Sequence, residues 1–388
     1  MKNIILLIGL LLSLESFSQK ANRELKMISL SGTGYELGLQ HGEKLKNEIA
    51  DIVNAWKKNT STALGKDADI VLKDFFEYAA FDDAIKKWTP ELYEEVKGIS
   101  DGSEQNFNDI FVLNLLDEFW VYIDNLYNHH CSSLGVPARN GNPGYISQNM
   151  DLENYTDGFQ VLMRLNKTDN SPEQLILTHP GLIALNGLNQ DGIGVCVNTL
   201  MQLKASSTGL PVAFVVRRII NSTDKEDLLS FIQTVNHASG QNYIIGVKGE
   251  VYDFEASANK VVRYNPLNEN GSLYHTNHPI VNNDLKSWHK QFSPSLDEKL
   301  KPTNSNSYLR FSAVETRLAN KNEVSEEQIK EALRSKDDAN NPVCRANNEN
   351  GFGFTFASII MTISENPYIE VLAGPPDESE YVRVDFSN

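Results

Sequence analysis

Residues 125–137 read NLYNHHCSSLGVP. Upstream of this stretch the apolar positions recur at helical spacing, as in GYELGLQHGEKLKNEIADIVNAW (34–56). TPELYEEVKGISDGSEQ (89–105) carries a helix start at Thr89 and Pro90 and a glycine-bearing stop at Asp101 and Gly102. FNDIFVLNLLDEFWVYIDNLY (107–127) reads as one more helix. Downstream the character changes to short runs bounded by Gly, Asn or Pro: GYISQNMDL, FQVLMRL, EQLILTHP, LIALNGLNQDGIGVCVNTL and YIIGVKGEVYDFEAS. The pairs Asn140-Gly141, Asp191-Gly192 and Lys248-Gly249 read as hairpin or loop turns. Helices return at 211–222, 224–235 and 307–320, and two strands, GFTFASIIMTI and YIEVLAGPP, close the chain. Hairpin strands with blocks of helix between them predict an α+β fold with antiparallel sheets. Cys131 stands at the junction, at the head of a sheet.

Composition narrows the function. The first 18 residues have a positive start at Lys2, an apolar run from Ile4 to Leu14 and small residues at Ser16 and Ser18. That is the layout of a secretory signal peptide, too short for an ordinary membrane span, so the mature protein is expected to be exported, periplasmic or extracellular, without stable membrane insertion. A net charge of −16 with no basic run argues against nucleic acid as a partner. There are three cysteines, Cys131, Cys196 and Cys344. A single bridge would leave one thiol over, and such a thiol in an oxidising compartment needs burial or a use. Cys196 lies in the apolar run GIGVCVNTL and reads as core. Cys131 has no such cover.

Three chemistries compete for Cys131. A metal site would use His129, His130 and Cys131, but neighbours on a strand point to opposite faces, and neither HExxH nor CxxC occurs. We therefore expect no metal and no cofactor. A thiol–histidine enzyme of the papain kind would carry a CGSCW-like context, which is absent. The third possibility needs no distant base. A thiol can attack the peptide bond before it, and the cut leaves a chain whose first residue carries both nucleophile and α-amine. That amine, with a pKa of about 7.7–8.0, suits a general base.

Several stretches, in order, resemble the penicillin acyltransferases, acyl-coenzyme A:6-aminopenicillanic acid acyltransferases of the C45 peptidase family of N-terminal nucleophile (Ntn) hydrolases. The family's nucleophilic cysteine is followed by a GQNWD-type strand, and Cys131 is followed by SQNMD (147–151). GLNQDGIGVCVN (187–198), GLPVAFVVRRII (209–220), YHTNHP (274–279) and the closing strands match further blocks, as does GYELGLQHGEKL (34–45). The resemblance implies a four-layer αββα sandwich, two antiparallel sheets between helical layers. It implies a proenzyme of three parts: the signal peptide (1–18), a helix-rich segment (19–130) and a sheet-rich catalytic chain (131–388) that begins when His130–Cys131 is cut. The two cut chains would stay associated.

The resemblance also assigns roles. Cys131 would be the nucleophile, its own amine the base, and Asp151 the group that orients that amine. Asn277 would donate to the oxyanion, a contact worth roughly 2.7–4 kcal/mol where one has been removed. Asn198 resembles a second oxyanion asparagine, and Arg310 in SYLRF an arginine beside the nucleophile. His275 and His278 would brace the Asn277 loop. The family commonly places a small residue before the nucleophile, whereas this chain has His130, and Met150 replaces a common aromatic. The expected activity is hydrolysis of a small-molecule N-acyl amide, with acyl transfer to an amine, a non-catalytic binding protein and a metal-dependent hydrolase as the alternatives.

Overall fold

The computed structural model describes residues 23–123, 130–168, 171–266, 268–287, 289, 305–348 and 353–387. The expected signal peptide and His129 lie outside the described residues. The described chain opens with a strand, β1 (Lys26–Leu30), and then runs through seven helices: α1 (Gly34–Lys44), α2 (Lys46–Leu64), α3 (Ala68–Tyr78), α4 (Asp82–Trp88), α5 (Pro90–Ser103), α6 (Phe107–Leu113) and α7 (Leu116–Tyr122). Cys131 then leads into β2 (Ser132–Val136) and β3 (Gly144–Leu152). Next come β4 (Val161–Leu165), β5 (Gln174–Thr178), β6 (Asn186–Asn189), β7 (Ile193–Thr199), α8 (Val212–Ile220) and α9 (Lys225–Thr234). The remainder is β8 (Gln241–Val247), β9 (Glu250–Ala256), β10 (Val261–Tyr264), β11 (Leu273–His275), α10 (Asn306–Leu318), α11 (Glu326–Leu333), β12 (Phe354–Ile363), β13 (Tyr368–Ala373) and β14 (Val382–Asp385).

The strands form two sheets, one ordered β1-β4-β5-β6-β7-β8-β9-β10 and the other β11-β2-β3-β12-β13-β14. They face each other through β2 and β3 against β7 and β8, α8 packs on the outer face at β6 and β7, and α10 and α11 cover the second sheet at β11 and β3. This is an αββα sandwich. Every named pairing is antiparallel except β1 with β4, which is parallel. KMISL, only five residues long with one clear alternation of burial, gave no strand signal in the sequence. The turn reading follows from backbone geometry: Asn140 and Gly141, and Lys248 and Gly249, are pairs of successive positive-φ residues, as tight hairpin connections require.

Two helix expectations are refined. The segment 34–56 breaks at Leu45 into α1 and α2, and 107–127 breaks at Asn114, whose Nδ2 donates to Ile110 O and Gly181 O. Nor does Gly102 stop α5, which continues to Ser103. Gly98 and Gly102 serve instead as a contact face for α1: a Cβ at Gly38 would sit 1.9 Å from Glu95 O, and one at Gly98 2.2 Å from Tyr35 O. No side chain fits there, so the two backbones lie against each other. Burial follows the layers. A large apolar cluster joins Trp56, Phe75 and Phe119 to residues of both sheets, and a smaller one, with Val314, Leu318 and Leu333, sits under α10 and α11.

Candidate active site

β2 and β3 are paired in register from Ser132↔Asn149 to Val136↔Tyr145, which puts Cys131, one residue before β2, beside the end of β3. There Asp151 N–H donates to Cys131 Sγ at 3.4 Å, and Met150 Sδ lies 3.5 Å from it. β12 pairs with β3 on the other side, and its register shifts between Thr355 and Ala357, opposite Asp151 and Met150. Such a bulge re-aims side chains and is common beside reactive centres. Cys131 is buried and forms part of the wall of a cavity of about 410 Å³, a volume suited to a small organic ligand. Burial first, and then the Asp151 carboxylate, push its thiol up to about 12. It is a protonated thiol that needs a base.

Asp151 is 6% exposed, and neither carboxylate oxygen has a hydrogen-bond partner among the described residues. Arg345 Nε stands 3.9 Å from Oδ2. Burial lifts the carboxyl to about 7, against the opposing pull of Arg345 and Arg310. A buried carboxylate without a hydrogen bond is costly even with Arg345 at 3.9 Å, and a second cation delivered beside Cys131 would relieve it further.

The sign of the resulting pH dependence is fixed. The pKa of Asp151 in the folded chain lies above that of the unfolded one, so the unfolded chain releases this proton first as pH rises. The stability it contributes is full below about pH 4 and is lost toward pH 7. Burial likewise pushes Glu118, Glu153 and Asp253 up to about 7. In an uncut Cys131→Ala chain, the urea midpoint should therefore fall between pH 5 and pH 8, and adding Asp151→Asn should make that fall shallower. An unchanged fall would mean that Asp151 is already paired.

Arg310 is fully buried. It comes from α10, whose N-cap Ser305 accepts from Tyr308 N. Its Nη1 donates to His130 O, to Cys131 O at 2.6 Å and to Ser132 Oγ at 2.9 Å. Nη2 donates to Asn277 Oδ1 and Nε to Asn306 Oδ1. One guanidinium thus binds the carbonyls on both sides of the His130–Cys131 junction. Asn277 Oδ1 is held by Arg310 while its Nδ2 donates to Thr199 O at 3.1 Å, so only one of its two N–H groups is engaged by these contacts. His275 lies behind this loop, with Nε2 2.9 Å from Glu255 Oε1, and Glu255 also accepts from the N–H groups of Ile280, Val281 and Asn282.

The structure thus brings Cys131, His130, Asp151, Arg310 and Asn277 into one group of contacts. Asn198 is placed differently. It is buried on β7 between Val197 and Thr199, which line the cavity although it does not. Its Oδ1 accepts from Ser133 Oγ, and its Nδ2 has no partner among the described residues. Sequence reasoning missed Asn306, 176 residues from His130, and the acidic wall of the cavity formed by Asp117 and Glu153. Asp117 lies within a stretch that reads only as helix, so no local signal marked it.

All three cysteines are free and buried. Among the described residues no group of three or more His, Cys, Asp or Glu side chains is placed to hold a metal ion, and no helix is long and apolar enough to cross a membrane.

Two facing sheets between helical layers, with a thiol at the head of a strand, place the chain in the αββα class of α+β sandwich. Within it, the chain belongs to the acyl-coenzyme A:6-aminopenicillanic acid acyl-transferase family, whose model matches residues 138–376, and is an enzyme of acyl transfer. That match includes Asp151, Asn198, Asn277 and Arg310 and begins after Cys131. The 40 kDa form of acyl-coenzyme A:6-aminopenicillanic-acid-acyltransferase from Emericella nidulans is 26% identical over 264 residues, covering 66% of this chain and 70% of that protein. Protein dcd1A of Dictyostelium discoideum is 27% identical over 237 residues, 52% of this chain and 51% of its own length. Among solved structures, a mutant of conjugated bile acid hydrolase from Clostridium perfringens aligns with a TM-score of 0.43 at 14% identity, over 66% of this chain and 92% of that one. Penicillin V acylase from Agrobacterium tumefaciens gives 0.43 at 13%, over 66% and 86%.

Proposed function

We propose that this protein is an exported, self-processing cysteine hydrolase that cleaves an N-acyl amide through a thioester on Cys131. The observation that carries the reading is the guanidinium of Arg310 on the carbonyl oxygen of His130. In the first step Sγ attacks the His130 carbonyl carbon. The S–C bond forms, charge gathers on the oxygen beside Arg310, the C–N bond to Cys131 breaks, and the thiol proton passes to the departing amine. Water then cleaves the thioester, leaving a carboxylate on His130 and a free α-amine on Cys131. When protonated, that amine adds a second cation beside Asp151, whose carboxylate has Arg345 at 3.9 Å and no hydrogen bond among the described residues.

In turnover the α-amine takes the thiol proton, Sγ attacks the substrate acyl carbon, and the ammonium returns the proton to the leaving amine. Water releases the acid from the thioester. Asn277, oriented by Arg310, is suited to donate to the oxyanion. Transfer to an amine, the activity in the family's name, shares every step up to the thioester and differs only in the acceptor. Export, read from residues 1–18, favours water as that acceptor.

The test is the intact mass of denatured purified protein beside a Cys131→Ala variant. Two chains, the second beginning at Cys131 and absent from the variant, are expected. A single uncut chain in both would remove the base and leave a binding protein as the better reading.

Substrate charge can be argued from the cavity. Leu116, Trp120, Leu185 and Val212 give it an apolar side, Asp117 and Glu153 add carboxylates, and the lining contains neither Lys nor Arg among the described residues. An anionic acyl group would meet like charge in a partly desolvated space. We expect neutral apolar N-acyl amides to be cleaved with at least roughly tenfold higher kcat/KM than matched amides bearing a terminal carboxylate. A preference for the carboxylate would show that the acyl group binds elsewhere.

A further inference from the structure

We infer that the His130 side chain is a positioning residue for self-cleavage, anchored by Asn306 so that the scissile carbonyl is held on Arg310. This rests on the self-processing reading above and deepens it. His130 is buried, and its Nδ1 lies 2.8 Å from Asn306 Oδ1. An amide oxygen only accepts, so Nδ1 must carry the hydrogen.

The orientation of the Asn306 amide is fixed by its neighbours rather than chosen freely. Asp338 Oδ1 accepts from Asn341 Nδ2, which leaves Asn341 Oδ1 to accept from Asn306 Nδ2. Asn306 Oδ1 must then face His130, and it receives Arg310 Nε–H on its other lone pair. Asn306 and Arg310 are four residues apart on α10 and share one helix face. A single amide oxygen therefore ties the side chain of the residue before the cut to the guanidinium that binds that residue's carbonyl.

The consequence is a two-point hold on residue 130: ring on Asn306, carbonyl on Arg310. With the side chain fixed, the peptide plane at the junction has less freedom to turn its carbonyl away from Arg310 while Sγ attacks. A small residue at this position keeps only the carbonyl contact. The chemistry is that of the first step above: thiol adds to the His130 carbonyl carbon, amine leaves with the thiol proton, and water resolves the thioester. Histidine supplies position and exchanges no proton in it.

The experiment follows the appearance of the two chains by intact mass after synthesis, for wild type, His130→Ala, His130→Asn, Asn306→Ala and the double alanine variant. Each substitution is also made in the Cys131→Ala chain to compare thermal unfolding. His130→Ala should slow cutting by roughly tenfold, the scale of one lost hydrogen bond in the transition state. His130→Asn, which keeps a short side-chain N–H, should recover most of the rate. In the Asn306→Ala background, His130→Ala should add little, because the contact is already gone. Wild-type cutting in His130→Ala, or equal slowing by His130→Ala and His130→Asn, overturns the anchor and leaves the processing reading intact. A slowing matched by loss of stability in the Cys131→Ala chain also overturns it. A wild type that never cuts removes the processing reading itself.

Discussion

Arg310→Met should leave the chain uncut, slowing the appearance of the two products by roughly a hundredfold to a thousandfold, the range seen when an oxyanion donor is removed. The size follows from what one side chain does here. Five acceptors converge on it: the carbonyls of His130 and Cys131, Ser132 Oγ, Asn277 Oδ1 and Asn306 Oδ1. Burial pulls its pKa down to about 10, which still leaves it charged at neutral pH. In the proposed cut, that buried charge would face the His130 carbonyl oxygen, where negative charge would develop.

Arg310→Lys should not rescue the rate. An ammonium is a compact point charge, and it cannot span acceptors that lie around the fork of a guanidinium. The readout is the ratio of cut to uncut chain with time, with far-UV circular dichroism and a melting curve as the control for folding. Cutting by Arg310→Met within about threefold of wild type would mean that Arg310 merely packs the junction. Loss of cutting together with loss of the melting transition would assign it to the fold.

The sequence singled out Cys131 as the candidate nucleophile because a thiol outside an apolar run, at a change of periodicity, is unusual. The hairpins were legible for the same local reasons, since Asn-Gly and Lys-Gly at positive φ are a property of two residues. What was not legible depends on distance. Nothing near His130 announces that its ring meets a residue on a helix 176 positions later. Gly102 looks like a helix end until α1 is seen lying against it. The Asn198 side chain was assigned to the site by resemblance alone, and strand alternation turns it away from the cavity its neighbours line. The bulge opposite Asp151 leaves no mark in FTFAS.

The same distance effect would decide whether the two products of the proposed cut stay together. Glu95 on α5 lies before the junction and Arg217 on α8 after it. They form a two-point buried pair, Nη1 to Oε1 at 2.7 Å and Nη2 to Oε2 at 2.8 Å, with side chains 0% and 4% exposed. Arg217 Nη1 also donates to Ile183 O, in the loop that carries Leu182 and Ala184 of the cavity wall. Deleting one member leaves a charge buried and uncompensated, which typically costs about 3–5 kcal/mol. Glu95→Ala should therefore lower stability by that order in the uncut Cys131→Ala chain. In cut protein it should let the chains separate on size-exclusion chromatography at a denaturant concentration where wild type co-elutes. Replacing both with apolar residues of similar size, Glu95→Leu with Arg217→Met, should recover most of the loss, since no unpaired charge remains. The pair does not act alone, because β1 also crosses the junction to pair with β4. If Glu95→Ala left both midpoint and co-elution unchanged, the strand and the shared apolar core would be holding the chains together. If the double variant were as weak as the single, the loss would come from packing around α5 and not from charge.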